Sequence, residues 1–293
     1  MWILFALLTS LLYAVYYTFN QRCKLLPSLF MIYRGYFLSL LALPFVIIYT
    51  HTFPWPFYLI ALFQGLTISY SDFKYFQAFH KFGAENVTSI SPLTVMITFL
   101  FWLIIKPSTL IFYAHTPYRS LVILLSIGFI VLAASKYRVQ SFGKKCLKFM
   151  APILILSAFL NISNKMIMYY ADDLLLPATL YRVCITGFII GTVNLLVGLK
   201  HNISLKKILK VKNLKKGWFL ILLALSMITI NFSMHYAINP AYTSALIYLS
   251  VIWVMIINKV LTCLGHPLKY QSLSKKWILV LLLAAITLSI AAN

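Results

Sequence analysis

Runs of about 20 apolar residues, separated by short polar stretches, limit what this chain can fold into. A helix needs about 20 mainly apolar residues to cross the roughly 30 Å hydrocarbon core of a bilayer. Dividing the sequence where charges, proline or polar clusters interrupt these runs gives ten predicted spans. They are Trp2–Asn20, Ser28–Thr50, Phe57–His80, Ala84–Ile105, Ser120–Ser135, Phe149–Tyr170, Leu176–Leu199, Trp218–Ile238, Ala241–Leu264 and Trp277–Ala292. Spanning strands would alternate apolar and polar residues, and these runs do not, so the predicted fold class is an all-α membrane protein.

The composition excludes a water-soluble enzyme. Of the 293 residues, 62% are hydrophobic and only 10% are charged, whereas a soluble domain carries about 25% charged residues. The sequence contains no HExxH motif, no glycine-rich phosphate loop and no Walker A lysine, so neither an enzyme nor an ATP-driven pump is predicted. The scattered cysteines Cys23, Cys146, Cys184 and Cys263 form no CxxC pair, which predicts no disulfide framework, no metal site and no cofactor.

The basic residues outnumber the acidic ones by 25 to 4, and most of them lie in alternate connections. The connections after spans 1, 3, 5, 7 and 9 hold 18 of them, the opposite connections hold only Lys106 and Arg119, and five lie inside spans. Because basic loops are retained in the cytoplasm, the pattern predicts both termini outside, in a bacterial inner (plasma) membrane. Topology and attraction to anionic lipid account for the positive charge without a nucleic-acid partner. The stretch His201–Lys216 is predicted to lie on the membrane surface.

Two segments of the chain repeat each other. Tyr75–Pro92 aligns without gaps with Met234–Val251, matching Ala78 with Ala237 and Ser91 with Ser250. Ahead of them, Arg34 and Arg182 each follow a proline at a similar distance. The chain therefore divides into halves, 1–147 and 148–293, of five spans each. Since an odd number of crossings reverses the second half, the predicted architecture is the inverted repeat of secondary transporters.

These residues also carry a family resemblance. Pro27 followed by Arg34 in span 2, the Ala-Phe-His-Lys-Phe-Gly-Ala turn that begins at Ala78, and Ser-Ile-Ser-Pro at Ser89–Pro92 resemble EamA-type transporters of the drug/metabolite transporter superfamily. The resemblance covers essentially the whole chain. It implies a central cavity surrounded by spans 1–4 and 6–9, with spans 5 and 10 peripheral. Departures from the family pattern include Val251 in place of a proline, and termini that the family usually keeps in the cytoplasm.

Ionisable residues inside the spans are the first candidates for a functional site. On insertion scales each costs about 2.5–3.5 kcal/mol at mid-membrane, and such groups usually face an interior or a water-filled path. With neighbouring polar and aromatic residues, the predicted substrate-binding set is Lys165, Arg182, Arg34, Asp72, Lys74, Tyr13, Tyr17, Asn164, His235 and Asn231. Structural roles remain open: either arginine could pair with Asp72 or helix-end carbonyls, Lys74 could snorkel, and the histidines could simply pack.

A basic interior with few acids predicts an anionic or zwitterionic substrate, because guanidinium binds carboxylate or phosphate in a bidentate fork. The predicted function is a secondary transporter of a small organic metabolite that works by alternating access. An amino acid or related zwitterion comes first, with Arg34, Lys165 or Arg182 on its carboxylate and Asp72 or Glu85 on its ammonium. The alternatives are a nucleotide-like or phosphorylated metabolite, the headgroup of an anionic lipid in a flippase, and, in another class, an intramembrane transferase.

Asp72 is the acidic group predicted to lie deepest in a span. It either pairs with a cation such as Arg34 or Lys165, or keeps its proton and makes protons the coupling ion. The sequence leaves both roles open. The predicted partners are a small metabolite and membrane lipid, for a monomer or weak homodimer.

Overall fold

The computed structural model describes residues 1–23, 27–82, 87, 89–136, 144–171, 173–200, 208, 219–265 and 274–293, without the side chains of residues 21–23, 27, 76, 79 and 80. Helix accounts for 89% of the structure, and the described residues contain no strand. The all-helical prediction is therefore confirmed.

The described residues form twelve helices of eight residues or more. In chain order they are α1 Trp2–Cys23, α2 Pro27–Ile48, α3 Trp55–Phe82, α4 Leu93–Ile105, α5 Pro107–His115, α6 Pro117–Ser135, α7 Lys144–Tyr169, α8 Leu175–Lys200, α9 Leu220–Tyr236, α10 Pro240–Ile247, α11 Ser250–Cys263 and α12 Lys275–Ala291.

Six stretches of helix are long and apolar enough to cross a membrane, and a seventh is added if the bent pair α4–α5 counts as one span. The six lie in α1, α2, α6, α7, α8 and the pair α10–α11, while α3, α9 and α12 are shorter or more polar. In helices of this kind all backbone polar groups are satisfied internally, as hydrocarbon requires. The structure is thus compatible with a multi-pass membrane protein, and the count of ten spans stays a prediction.

The region after the fourth predicted span differs from expectation. The described part of that span is α4, which starts at Leu93 and ends at Ile105. The unpredicted helix α5 follows at Pro107, bent by 101° from α4. Proline has no N–H to continue a helix but fits its first turn, so Pro107 and Pro117 each start a new helix here.

The ninth predicted span is divided. It forms α10 and α11, which are separated by a turn at Tyr248 and Leu249. The fourth predicted span also has a turn, at Ser91 and Pro92, immediately before α4. The two interruptions lie within two residues of each other in the repeat alignment, which matches Ser91 with Ser250.

The main helix contacts join the first half of the chain to the second. The most extensive pairs are α2 with α8, α1 with α9, α6 with α12, α3 with α8 and α3 with α7. Contacts of α1 with α11 and of α4 with α7 come next. The halves are therefore interleaved helix by helix, and the predicted boundary at residue 147 falls inside α7, which begins at Lys144.

Glycines set the closest of these contacts, between α2 and α8. A Cβ atom on Gly35 would overlap the backbone nitrogen of Gly191 and lie 2.7 Å from the Gly187 carbonyl oxygen. A Cβ atom on Gly187 would lie 2.8 Å from both the Gly35 oxygen and the Ser39 nitrogen. Gly187 and Gly191 form a GxxxG pair, the spacing that lets membrane helices approach at backbone distance. The two halves therefore meet here with no side chain between them.

The helix assembly has two ends, which are named here by their connections. The α9–α10 end also holds the α2–α3, α4–α5 and α7–α8 connections, as contacts such as Lys106 with Tyr169 and Tyr181 with the Tyr49 carbonyl indicate. The α1–α2 end lies opposite and holds the basic connections, most of which fall outside the described residues.

Candidate functional site

Arg182 is the most deeply placed cation of the candidate set. It lies on α8 and is 5% exposed. Its Nη1 donates to Gln64 Oε1 of α3 at 3.3 Å and to Asn164 Oδ1 of α7, while its Nε, also buried, has no partner. The only ion pair that the described residues form is elsewhere. Arg182 therefore carries a positive charge held by neutral amides and no carboxylate.

Gln64 organises the surroundings of Arg182. This side chain is fully buried, and its Nε2 donates to Ser163 Oγ at 2.9 Å and to Asn164 Oδ1 at 3.0 Å. The amide thus fixes its own oxygen toward Arg182 while it links α3 of the first half to α7 of the second. Because both amide oxygens already face the guanidinium, the remaining donors of Arg182 are left for another acceptor.

Arg34 lies toward the α1–α2 end and has a different partner. Its Nη1 donates to Asp72 Oδ2 at 2.7 Å, joining α2 to α3. The two side chains are 17% and 31% exposed. This arrangement agrees with the pairing considered for Asp72 from the sequence, and it means that Arg34, unlike Arg182, has its charge neutralised within the protein.

Tyrosines lie next to this ion pair. Tyr17 is 43% exposed, and its ring stacks on Tyr13 with 5.7 Å between centroids. Tyr75 of α3 and Tyr248, from the turn between α10 and α11, lie near Tyr17. Tyr13 lies within electrostatic range of Arg34, Asp72 and Arg182. The stacked pair of Tyr13 and Tyr17 is therefore close to both arginines.

Lys165 is 4% exposed and lies on a different face of α7 from Asn164. Its Nζ donates to the carbonyl oxygens of Met234 at 2.7 Å and His235 at 3.0 Å, in the last turn of α9. The carbonyls that end a helix have no partner within it and carry partial negative charge. Lys165 therefore binds the end of α9, and it forms no hydrogen bond with Arg182 or the two amides that hold Arg182.

Three other predicted residues are not brought together with Arg182. Lys74 lies over the Tyr70 ring, at 5.8 Å from its centroid, and Tyr70 is 52% exposed. Asn231, the alignment partner of Asp72, donates to Thr179 Oγ1 at 3.4 Å, and its own oxygen is buried without a partner. His235 packs edge-on against Tyr236, with 5.0 Å between centroids. Each has a local structural contact.

Several predicted features lie outside the described residues. Glu85 and all of the stretch His201–Lys216 except Ile208 are among them, as is the side chain of His80. The ammonium-binding role expected of Glu85 and the surface position of the basic stretch therefore stay predictions.

Three kinds of contributor to the site were not identified from the sequence: a glutamine, two tyrosines and a glycine pair. Gln64 was overlooked because the search concentrated on ionisable groups, although an amide inside an apolar run is also costly in hydrocarbon. Tyr75 and Tyr248 could not be separated from the many tyrosines expected at membrane interfaces. The Gly187–Gly191 pair that brings α8 against α2 has a recognisable spacing, and that pattern could have been found.

The charges of the candidate site are unevenly balanced. Arg182 has no carboxylate partner among the described residues, whereas Asp72 is paired with Arg34. Within the described parts of the chain, no group of three or more His, Cys, Asp or Glu side chains could hold a metal ion.

No family model matches the sequence, and no curated protein matches it. The resemblance to EamA-type transporters stays a prediction based on the residues quoted above.

Proposed function

We propose that this chain is a secondary transporter of a small organic anion or zwitterion, with an amino acid as the first choice of substrate. The observation that carries the proposal is Arg182, a buried guanidinium held only by amide oxygens. An intramembrane charge costs several kcal/mol unless it is paired, and a substrate carboxylate would supply the missing counter-charge in bidentate form.

The helix contacts support an inverted repeat. An inverted repeat would make spans 1–5 equivalent, in order, to spans 6–10. The α1–α9 contact is then equivalent to the α7–α3 contact, and the α4–α7 contact is equivalent to the α11–α1 contact. Under the same equivalence the α2–α8 and α6–α12 contacts map onto themselves. All six contacts are present, as a two-fold axis in the membrane plane would require.

The interrupted spans support a site near the middle of the membrane. Discontinuous helices at corresponding positions of two inverted halves are typical of transporter binding sites. The turn at Ser91 and Pro92 and the turn at Tyr248 and Leu249 are such a pair. Tyr248 lies near Tyr17, so one of these turns lies next to the tyrosines of the proposed site.

The charge balance of the site favours a substrate that carries a carboxylate. Arg182 would hold that group with Asn164 and Gln64 beside it, and the stacked Tyr13 and Tyr17 rings would contact the apolar part. In this proposal the Asp72 carboxylate, paired with Arg34, would interact with the ammonium group of the substrate. A phosphate-bearing metabolite or lipid headgroup would use the same guanidinium.

The substrate class is tested by a thermal-shift screen of the purified protein. The panel contains amino acids, phosphorylated metabolites, nucleotides and glycerophosphate headgroups. A ligand that binds the native state raises the apparent Tm by mass action, and we expect amino acids to give the largest rise. A rise in Tm with phosphorylated compounds alone would indicate that the substrate is a phosphate ester and not an amino acid.

The role of Arg182 is tested by the nearly isosteric change Gln64→Glu. The new carboxylate would neutralise Arg182 within the protein, so the unliganded protein should become more stable while ligand affinity falls. A lost charge-assisted contact is worth about 1.5–3 kcal/mol, which corresponds to about 10- to 100-fold in Kd.

The matched control is Asn161→Asp, because Asn161 is an amide on α7 that bonds Thr98 Oγ1 at 3.2 Å and not Arg182. It should leave ligand affinity near the wild-type value. If Gln64→Glu stabilises the protein and binds ligand as wild type does, Arg182 is structural and the proposed site is wrong.

A further inference from the structure

The two parts of the divided ninth span differ in packing. In α10, seven of the eight residues are buried, from Pro240 to Leu246. In α11 only Ser250 and Val254 are buried. Since α10 lies at the α9–α10 end and α11 runs toward the opposite end, the part of this span at the α9–α10 end is the more tightly packed one.

The α9–α10 end is closed around small, fully covered residues. Ala237, in the turn from α9 to α10, is 1% exposed, and Ala171, after α7, is also 1% exposed. Ser233 of α9 donates to the Trp2 carbonyl oxygen at 2.9 Å, which joins α1 to the same layer. The α9–α10 end is therefore packed closed around these residues.

Lys165 lies at the centre of the closed end. Its two hydrogen bonds reach the terminal carbonyls of α9, and its Nζ also lies 5.3 Å from the Tyr169 ring centroid and 5.9 Å from the Trp102 ring. Trp102 belongs to α4 in the first half, whereas Lys165 and Tyr169 belong to α7 in the second. One buried ammonium group thus contacts α4, α7 and the end of α9 together.

A second cation approaches the same ring. Lys106 Nζ donates to the Tyr169 hydroxyl at 2.9 Å and lies 4.6 Å from its ring centroid. Neither lysine has a carboxylate within ion-pair distance among the residues that the structure describes. Two like charges on one aromatic ring repel each other, so an anion placed between them would be strongly favoured.

We propose that Lys165 is a gating residue that keeps the α9–α10 end closed, and that a carboxylate or phosphate bound between Lys165 and Lys106 opens it. The anion would accept the Nζ hydrogens that now go to the Met234 and His235 carbonyls, and this would release the end of α9. The inference rests on the proposed transport function, because an opening at this end matters only to a molecule that crosses.

The gate is tested by the chemical accessibility of one buried position. In a background where Cys23, Cys146, Cys184 and Cys263 are replaced by serine, Ala237→Cys provides a reporter for a hydrophilic maleimide. The purified protein should label slowly. Adding Lys165→Met should raise the labelling rate about tenfold or more, because two charge-assisted hydrogen bonds no longer favour the closed state.

Two further variants separate gating from general damage. Lys165→Arg keeps the charge and should retain most of the protection. Lys148→Met removes an exposed lysine from the other end of α7 and should label as slowly as the parent protein. Should Lys165→Met fail to fold, Lys165→Gln and the anion experiment below test the same proposal.

The anion is tested with inorganic phosphate and acetate against chloride at matched ionic strength. Either anion should speed Ala237→Cys labelling severalfold in the parent protein but not in Lys106→Met. Equal labelling of folded Lys165→Met and its parent, rapid labelling of the parent itself, or no response to either anion would each overturn the proposal. None of these measurements needs the transported substrate, so their failure is distinct from failure of the Arg182 site.

Discussion

Arg34 and Arg182 occupy equivalent places in the two halves of the chain, but their partners differ in charge. Arg34 has the carboxylate of Asp72 at 2.7 Å, and Arg182 has the amides of Gln64 and Asn164. The two arginines therefore differ in local chemistry. Arg34 joins α2 to α3 by an ion pair, and Arg182 is held by neutral amides.

The pairing gives Asp72→Asn a specific expected result. The change leaves Arg34 without its counter-charge, and the free energy of unfolding should fall by about 1–3 kcal/mol, less than the roughly 3–5 kcal/mol of a fully buried pair because both side chains keep exposed surface. Because Asp72 is expected to serve as the counter-charge of Arg34 and not as a proton carrier, the pH dependence of transport should not change. Thermal denaturation and transport measured from acid to neutral pH check both statements.

Lys74→Met is the matched control for Asp72→Asn, since Lys74 lies on the same helix and over the exposed Tyr70 ring. It should cost little stability. A stable Asp72→Asn protein that loses pH-driven accumulation but keeps exchange would instead assign proton coupling to Asp72.

Charged residues of the candidate site could be predicted from the sequence because a charge inside a span is costly and therefore rare. The groups that accept hydrogen bonds from these charged residues could not be predicted from the sequence. Lys165 binds backbone carbonyls of Met234 and His235, which every residue possesses and no residue pattern distinguishes. Gln64 is similarly inconspicuous, since a single amide changes the apolar character of a span very little.

At the scale of the helix, the α2–α8 crossing depends on the absence of side chains. Gly187→Ala would place a carbon atom 2.8 Å from backbone atoms of Gly35 and Ser39, and a backbone cannot rotate away as a side chain can. Overpacking of this kind costs about 1–3 kcal/mol. We expect a lower apparent Tm and a smaller folded yield in size-exclusion chromatography.

Gly128→Ala in α6 is the control for this prediction. A Cβ atom at Gly128 would meet nothing within 4 Å, and alanine favours helix over glycine by about 1 kcal/mol. The control should be neutral or slightly stabilising. A Gly187→Ala protein as stable as Gly128→Ala would show that α2 and α8 are farther apart than the structure has them.

Helix positions were more predictable than helix interruptions. Every described helix except α5 overlaps a predicted span, because burial in hydrocarbon imposes the apolar length used to find the spans. The turn at Tyr248 and Leu249 was not predicted, since both residues are as apolar as their neighbours and the break arises from packing of α10. Hydropathy indicates whether a segment can lie in hydrocarbon, and it does not indicate where the helix bends.

For the whole molecule, the uneven distribution of basic residues predicts the orientation. The basic α1–α2 end should face the cytoplasm, with both chain ends on the other side. The measurement uses a reporter enzyme that works only outside the cytoplasm. Fused after Asn293, this reporter should be active. Activity of a cytoplasm-only reporter at the same position would show the opposite orientation.

The interleaving of the halves has a consequence for biosynthesis. Every main packing partner of α1, α2 and α3 lies at or beyond Lys144. When a ribosome has delivered the first half to the membrane, those three helices have none of their final neighbours, and Gly35 faces lipid or a temporary partner. The nascent chain must therefore remain loosely associated in the bilayer, within reach of insertion factors and membrane proteases, until α8 arrives.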